Sequence, residues 1–345
     1  MTTSVPTGEP VRTEGPRFHP LIEERLHLLQ GHASFADCPP AVLKEWDAPY
    51  GPAESWDLQI ADRQVPGPHG PVPVRVYTPA GDTPPDRPCL VWIHGGGFVA
   101  GDLDMPEAHE VAQRIAGRAD AVVVSVFYRL CPREGLLGLP EEGTHESTAA
   151  VRFPIPLDDV IAAIGWVRDN AAALGIDEAR IAIGGASAGA NLAAGATLRL
   201  ADEGRTPWQT LLLYPLVHPE LPATTPEMAQ AFAITPRVLN FSDESVRAVN
   251  VNYLGAGLET ATPYAYAGIS DNLAVFPPTL VDNCEFDTLR RSGERFVEQL
   301  RDAGVDVEAV VSRGVPHGHL NCIGFPPAQE STDRMADRLR RAATP

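Results

Sequence analysis

The chain has 345 residues, 44% of them hydrophobic, enough to bury one large core. Its 45 acidic and 27 basic residues give a net charge of −18, which argues against nucleic-acid binding and against docking on anionic membranes, because both need basic patches. No run approaches the ~18 apolar residues of a membrane span, and Cys38, Cys89, Cys131, Cys284 and Cys322 are scattered without a CxxC, so they predict free thiols in a reducing cytoplasm rather than a disulfide framework or a zinc site.

Residues 1 to about 18 are rich in Pro, Thr, Gly and Glu and predict a loose arm without the basic head and apolar run of a secretory signal. "PLIEERLHLLQG" then sets Ile22, Leu26 and Leu29 on one helical face, with Gly31 as its C-cap, and "PPAVLKEW" opens a second short helix. Residues 1–55 are thus expected to form an arm and cap helices. From Trp56 the pattern changes to eight runs of strand character: "WDLQIAD", "VPVRVYTP", "CLVWIH", "AVVVSVFY", "RIAIGG", "TLLLYP", "PTLVDNC" and "VDVEAVV". The first two lie close enough for an antiparallel hairpin. The later ones are separated by helix-length segments such as "IPLDDVIAAIGWVRDNAAALG" and "DTLRRSGERFVEQLRDAG". Val/Ile/Leu runs alternating with helices predict an α/β fold, a mostly parallel eight-stranded sheet covered on both faces, spanning residues 56–345.

Two stretches break that rhythm. Residues 218–255, between the sixth and seventh strands, carry helical periodicity without a further strand and read as a cap insertion. Residues 133–152 interrupt the passage from the fourth strand to its helix and hold Glu134, Glu141, Glu142 and Glu146. Both leave the C-terminal ends of strands, the edge where open α/β sheets bind ligands.

The chemistry begins at "RIAIGGASAGANLAAG". Gly185, Ser187 and Gly189 satisfy G-x-S-x-G between a strand and an alanine-rich helix, the setting of a nucleophile elbow. A phosphate loop is the rival reading, and it fails for want of G-x-x-x-x-G-K-[ST]. An elbow serine needs an acid and then a histidine later in the chain. "DNCEFDTLRR" offers Asp287 after the seventh strand, with Glu285 second and Asp282 inside the strand; Asp287 is also placed to cap the next helix. "SRGVPHGHLN" offers His317 as base, with His319 as its rival. "HGGGF" supplies backbone N–H groups of Gly96 and Gly97 that can converge with that of Ala188 on an oxyanion. His94 reads as a structural hydrogen-bonding residue. A metal held by His94, His317 and His319 lacks a carboxylate spacing pattern and is rejected; no cofactor is expected.

"HGGGF", "FYRLCP", "FPIPLDD", "GASAG", "LLLYP", "FPPTLVDNCEFDTLRRSGERF" and "PHGH", in this order from about residue 56 to the C-terminus, resemble the bacterial hormone-sensitive-lipase family of α/β-hydrolases. The resemblance implies an α/β-hydrolase fold and a serine carboxylesterase for short acyl or small aromatic esters. It implies Ser187, Asp287 and His317 as the triad, and Gly96, Gly97 and Ala188 as oxyanion donors. It also suggests a homodimer through an edge strand. Three departures stand out. Ala186 and Thr288 replace the family's usual Asp or Thr and Pro, with an expected modest effect on hydrogen bonding at the elbow. The acidic 133–152 insertion is expected to overhang the pocket and set an unusual substrate, against the alternative of a surface loop; an unchanged ester profile after deleting residues 135–151 would rule the first out. Two other functions fit the same sequence: a tailoring enzyme using the triad for acyl transfer, elimination or cyclisation, and a non-catalytic ligand-binding protein.

Overall fold

The computed structural model describes residues 15–81, 86–133, 136 and 150–341. Glu134, Glu141, Glu142 and Glu146 of the acidic insertion therefore lie outside the described residues. Its flanks lie inside them: Asn252 Nδ2 donates to the Pro132 carbonyl at 2.8 Å, and the Phe153 N–H donates to the Tyr253 carbonyl at 2.8 Å.

Among the described residues one sheet of eight strands runs through the molecule: β1 (Leu58–Val65), β2 (Val72–Pro79), β3 (Arg87–Ile93), β4 (Val122–Val126), β5 (Ile176–Ala186), β6 (Thr210–Leu213), β7 (Thr279–Phe286) and β8 (Val307–Pro316). Their order is β1-β2-β4-β3-β5-β6-β7-β8. Only β2 runs against its neighbours, pairing antiparallel with β1 and β4; every other pair is parallel. The helices are α1 (Pro20–Glu23), α2 (Pro40–Trp46), α3 (Pro106–Ala119), α4 (Ile155–Asp169), α5 (Ala171–Leu174), α6 (Ala188–Asp202), α7 (Pro226–Ile234), α8 (Asp243–Leu254), α9 (Arg290–Asp302) and α10 (Pro326–Arg340).

Two-sided burial explains the sequence of the central strands. Val91 and Ile93 of β3 pack with Leu192 of α6, Ile164 of α4 and Phe296 of α9 on one face. Their neighbours Leu90 and Trp92 pack with Ile115 of α3 and Met335 of α10 on the other. Side chains alternate across the sheet, so a strand buried on both faces has to be apolar throughout.

The single helix expected over "PLIEERLHLLQG" is in fact α1 followed by a separate 3₁₀ turn, Leu26–Leu29. Ile22 joins the sheet-side core, whereas Leu29 joins a separate cluster with Cys38, Val238 and Leu239. Residues seven apart share one face of a continuous helix, so reaching two different cores requires a break. Arg25, at the break, donates to the Trp46 and Pro49 carbonyls, at 3.1 Å each. The excursion between β6 and β7 carries α7 and α8, and its Val238 and Leu239 meet the N-terminal segment over the carboxyl edge of the sheet.

Candidate active site

β3, β5, β7 and β8 all end at that edge, at Ile93, Ala186, Phe286 and Pro316; Ser187, Asp287 and His317 directly follow the last three, and Gly96 and Gly97 lie in the loop after the first. Between β5 and α6, Ser187 takes φ 54° and ψ −118°, a conformation that costs a non-glycine residue about 1–3 kcal/mol. Close packing holds it there. A Cβ on Gly189 would collide with the carbonyls of Ile93 and His94, and one on Gly185 with those of Gly189 and Ile93. The Ser187 N–H donates to the Leu213 carbonyl at 2.9 Å.

Across the edge, His317 Nε2 lies 2.9 Å from Ser187 Oγ, and His317 Nδ1 lies 2.6 Å from Asp287 Oδ2. The geometry defines the protons: Nδ1–H donates to the carboxylate, which leaves Nε2 to accept from the serine hydroxyl. Asp287 is fully buried, and its Oδ1 accepts the Leu289 N–H at 2.8 Å. It thus orders the entry to α9 while its other oxygen holds the imidazole. Ser187 is 8% exposed and remains reachable from solvent.

The competing groups are engaged elsewhere. Asp282 lies inside β7 and accepts from Ser312, Ser331 and Arg334 at 2.7, 2.9 and 2.7 Å. Glu285 accepts from the Gly314 N–H at 2.7 Å. His319 faces Ser331 Oγ at 3.0 Å and Cys284 Sγ at 3.3 Å, and burial pushes its pKa down to about 4. His94 is buried, with Nδ1 2.7 Å from the Gly95 carbonyl and its ring stacked on Tyr128. Thr288 makes its hydrogen bonds to Phe241 rather than to the elbow, which corrects the expectation drawn from its departure from the family pattern.

After β3, Gly96 and Gly97 adopt φ 110° and 59°. No acceptor among the described residues takes their N–H groups, whereas the preceding Gly95 N–H donates to Glu107 Oε1 at 2.5 Å. Ala188 opens α6, where the first backbone N–H groups lack helical partners. Three side chains not foreseen from the sequence complete the site. Glu107, fully desolvated at the start of α3, also accepts from Tyr214 Oη at 2.5 Å, and burial raises its pKa against the opposing pull of these donors. The Tyr214 and Phe241 rings stand edge-to-face with the His317 imidazole at 4.8 and 4.9 Å. A glutamate in a helix's first turn reads in sequence as a dipole partner, and nothing local marks the two aromatics.

The chain matches the family described as "alpha/beta hydrolase fold" over residues 147–321 and the carboxylesterase family over residues 73–205. It is 31% identical over 344 residues to esterase LipI of Mycobacterium tuberculosis, covering 97% of this chain and 98% of that protein. The chain belongs to the hormone-sensitive-lipase-like α/β-hydrolases. Carboxylesterase NlhH of the same organism is 35% identical over 292 residues, 83% of each chain. Among solved structures, a bacterial heroin esterase superposes with a TM-score of 0.75 at 28% identity, covering 95% of this chain and 98% of its own. This member of the family is a hydrolase acting on carboxylic ester bonds of small molecules. No helix among the described residues is long and apolar enough to cross a membrane.

Proposed function

We propose that Ser187 is the nucleophile of a serine carboxylesterase for short-chain and small aromatic esters, with His317 as its base and Asp287 as the acid that orients the base. The observation that carries this is the relay from Asp287 through His317 to Ser187, at 2.6 and 2.9 Å, on a strained elbow. His317 Nε2 takes the hydroxyl proton as Ser187 Oγ attacks the ester carbonyl. The tetrahedral oxyanion lies among the N–H groups of Gly96, Gly97 and Ala188. Collapse expels the alcohol, which leaves with the proton from His317, and forms the acyl-enzyme. Water then attacks with His317 again as base, and acid and free serine are released. Each oxyanion donor of this kind is worth about 3 kcal/mol of barrier.

Residues 56–345 form the catalytic domain in this reading, with the β6–β7 excursion and the N-terminal helices as its cap. The reading also includes a homodimer through an edge strand, β1 and β8 being the outermost strands of the sheet. It further includes a reducing cytoplasm, where the five cysteines remain thiols. Light scattering and cell fractionation test these two additions, a monomer or a secreted protein overturning one or the other. The central test is fluorophosphonate labelling beside p-nitrophenyl ester turnover. Wild type is expected to label and to turn over acetate and butyrate esters; Ser187→Ala is expected to do neither. Labelling of Ser187→Ala, or turnover by it, would overturn the assignment.

A further inference from the structure

The His317 imidazole is bounded on four sides: Asp287 at Nδ1, Ser187 at Nε2, and the rings of Tyr214 and Phe241. Three of these belong to the sheet edge and the loops leaving it. Phe241 does not. It sits in the β6–β7 excursion, between the 3₁₀ turn Arg237–Leu239 and α8, and only partly buried.

Thr288 fixes Phe241 in that place. Its hydroxyl oxygen accepts the Phe241 N–H at 3.1 Å, and its O–H donates to the Phe241 carbonyl at 2.8 Å. One side chain thereby satisfies both backbone groups of the residue whose ring meets the imidazole. Thr288 directly follows Asp287, so the clasp joins the excursion to the loop that carries the acid. Two further side chains of that region reach the same excursion. Arg290 Nη2 meets Glu227 of α7 at 2.7 Å, and Arg291 Nη1 meets Asp243 of α8 at 2.6 Å. Of these three ties, the one through Thr288 ends on His317.

We propose that Thr288 and Phe241 are positioning residues that make the alignment of His317 depend on this one clasp between the acid loop and the β6–β7 excursion. The proposal rests on His317 being the base. With the clasp in place the ring closes one side of the imidazole, so the torsion that carries Nε2 away from Ser187 meets a wall. Without it the imidazole is bounded only by Asp287, Ser187 and Tyr214. Proton transfer depends steeply on that geometry, since a misplacement of about 1 Å can cost ~100-fold. Both acylation and deacylation use the same nitrogen, so the loss falls on kcat. Valine at 288 would keep the shape and remove the clasp; serine would keep the hydroxyl.

The test is steady-state hydrolysis of p-nitrophenyl acetate by Thr288→Val, Thr288→Ser, Phe241→Leu and the control Asp243→Asn, each titrated with a fluorophosphonate to count reactive serines. Thr288→Val and Phe241→Leu are expected to lower kcat about tenfold, within the range that misalignment of a reacting group produces. Their KM is expected to stay within about twofold, with a full count of slowly labelled serines. Thr288→Ser should recover most of the loss, and Asp243→Asn should match wild type. Wild-type kcat in both Thr288→Val and Phe241→Leu would overturn the proposal. So would a Thr288→Ser loss as large as that of a folded Thr288→Val, or a Phe241→Leu loss matched by missing reactive serines, which marks general unfolding. Should Thr288→Val fail to fold, Phe241→Leu decides alone. Turnover retained by His317→Gln would instead overturn the assignment of the base, a distinguishable failure.

Discussion

Glu107 carries two jobs on one carboxylate. Oε1 holds the Gly95 N–H, the anchor of the loop that presents Gly96 and Gly97, and Oε2 holds the Tyr214 hydroxyl, whose ring meets His317. Asn321 adds a bond of 3.4 Å to Oε2, and the Glu107 backbone carbonyl accepts Trp92 Nε1 at 2.8 Å. Glutamine keeps an acceptor for Gly95 and a donor that the tyrosine oxygen can receive. Alanine leaves a buried N–H and a buried hydroxyl unpaired, at about 1–3 kcal/mol each. Glu107→Ala is therefore expected to lower both the urea midpoint and kcat, the latter by about tenfold or more, as oxyanion donors lose their placement. Glu107→Gln is expected to stay within a few-fold of wild type in kcat. Equal losses in the two variants would show that charge, rather than hydrogen bonding, is what the site requires. Such roles are not legible in sequence because they are made at a distance. Glu107 and Tyr214 are 107 positions apart, and Phe241 and Thr288 are 47 apart. Ser187, Asp287 and His317 are also distant in sequence, yet each sits at a strand end, and a strand end can be read locally from an apolar run giving way to small or polar residues.

The elements divide along the same line. "AVVVSVFY" and "TLLLYP" are legible as strands because a strand buried on both faces has no polar alternation to offer. The break after α1 is not, because it answers to two separate cores that only the assembled fold defines. Helix interiors show how far tertiary contact overrides local preference. Glycine costs about 1 kcal/mol relative to alanine within a helix. At Gly165 in α4 a Cβ would meet nothing within 4 Å, whereas at Gly195 in α6 it would strike the Tyr264 carbonyl. Gly165→Ala is accordingly expected to raise unfolding free energy by about 0.5–1 kcal/mol. Gly195→Ala is expected to lower it, because the backbone of residue 264 has to move to admit the methyl group. Urea denaturation of the two variants checks both signs. A stabilising Gly195→Ala would mean that the contact yields more easily than the close packing of α6 implies.

For the molecule as a whole, two histidines outside the triad make stability depend on pH. His319 lies within a network that includes Asp282, Ser312, Ser331 and Arg334, and its Nδ1 faces the Cys284 thiol. Ser331 gives its own proton to Asp282, so its oxygen accepts from His319 Nε2–H, and Nδ1 is left to accept from the thiol. Asp282 and Asp287 favour protonation, Arg334 and His317 oppose it, and desolvation outweighs them all, leaving a pKa of about 4. His218 is similarly placed between Ser292 and Gln299 at 2.9 Å each, with Arg295 opposing its charge and a pKa again about 4. Both values are depressed below the ordinary 6.5. The unfolded chain therefore binds more protons than the native one between pH 6.5 and 4, so stability is fully present above about pH 6.5 and falls as pH drops toward 4, by on the order of a few kcal/mol per histidine. The urea midpoint of wild type is expected to decline through that window. His319→Gln and His218→Gln are each expected to begin lower at pH 7.5, having lost a fitted pair of hydrogen bonds, and to decline less steeply. Wild-type steepness in both variants would assign the acid sensitivity to carboxylates instead, and the arrangement around His319 would then be a packing device without a titration of its own.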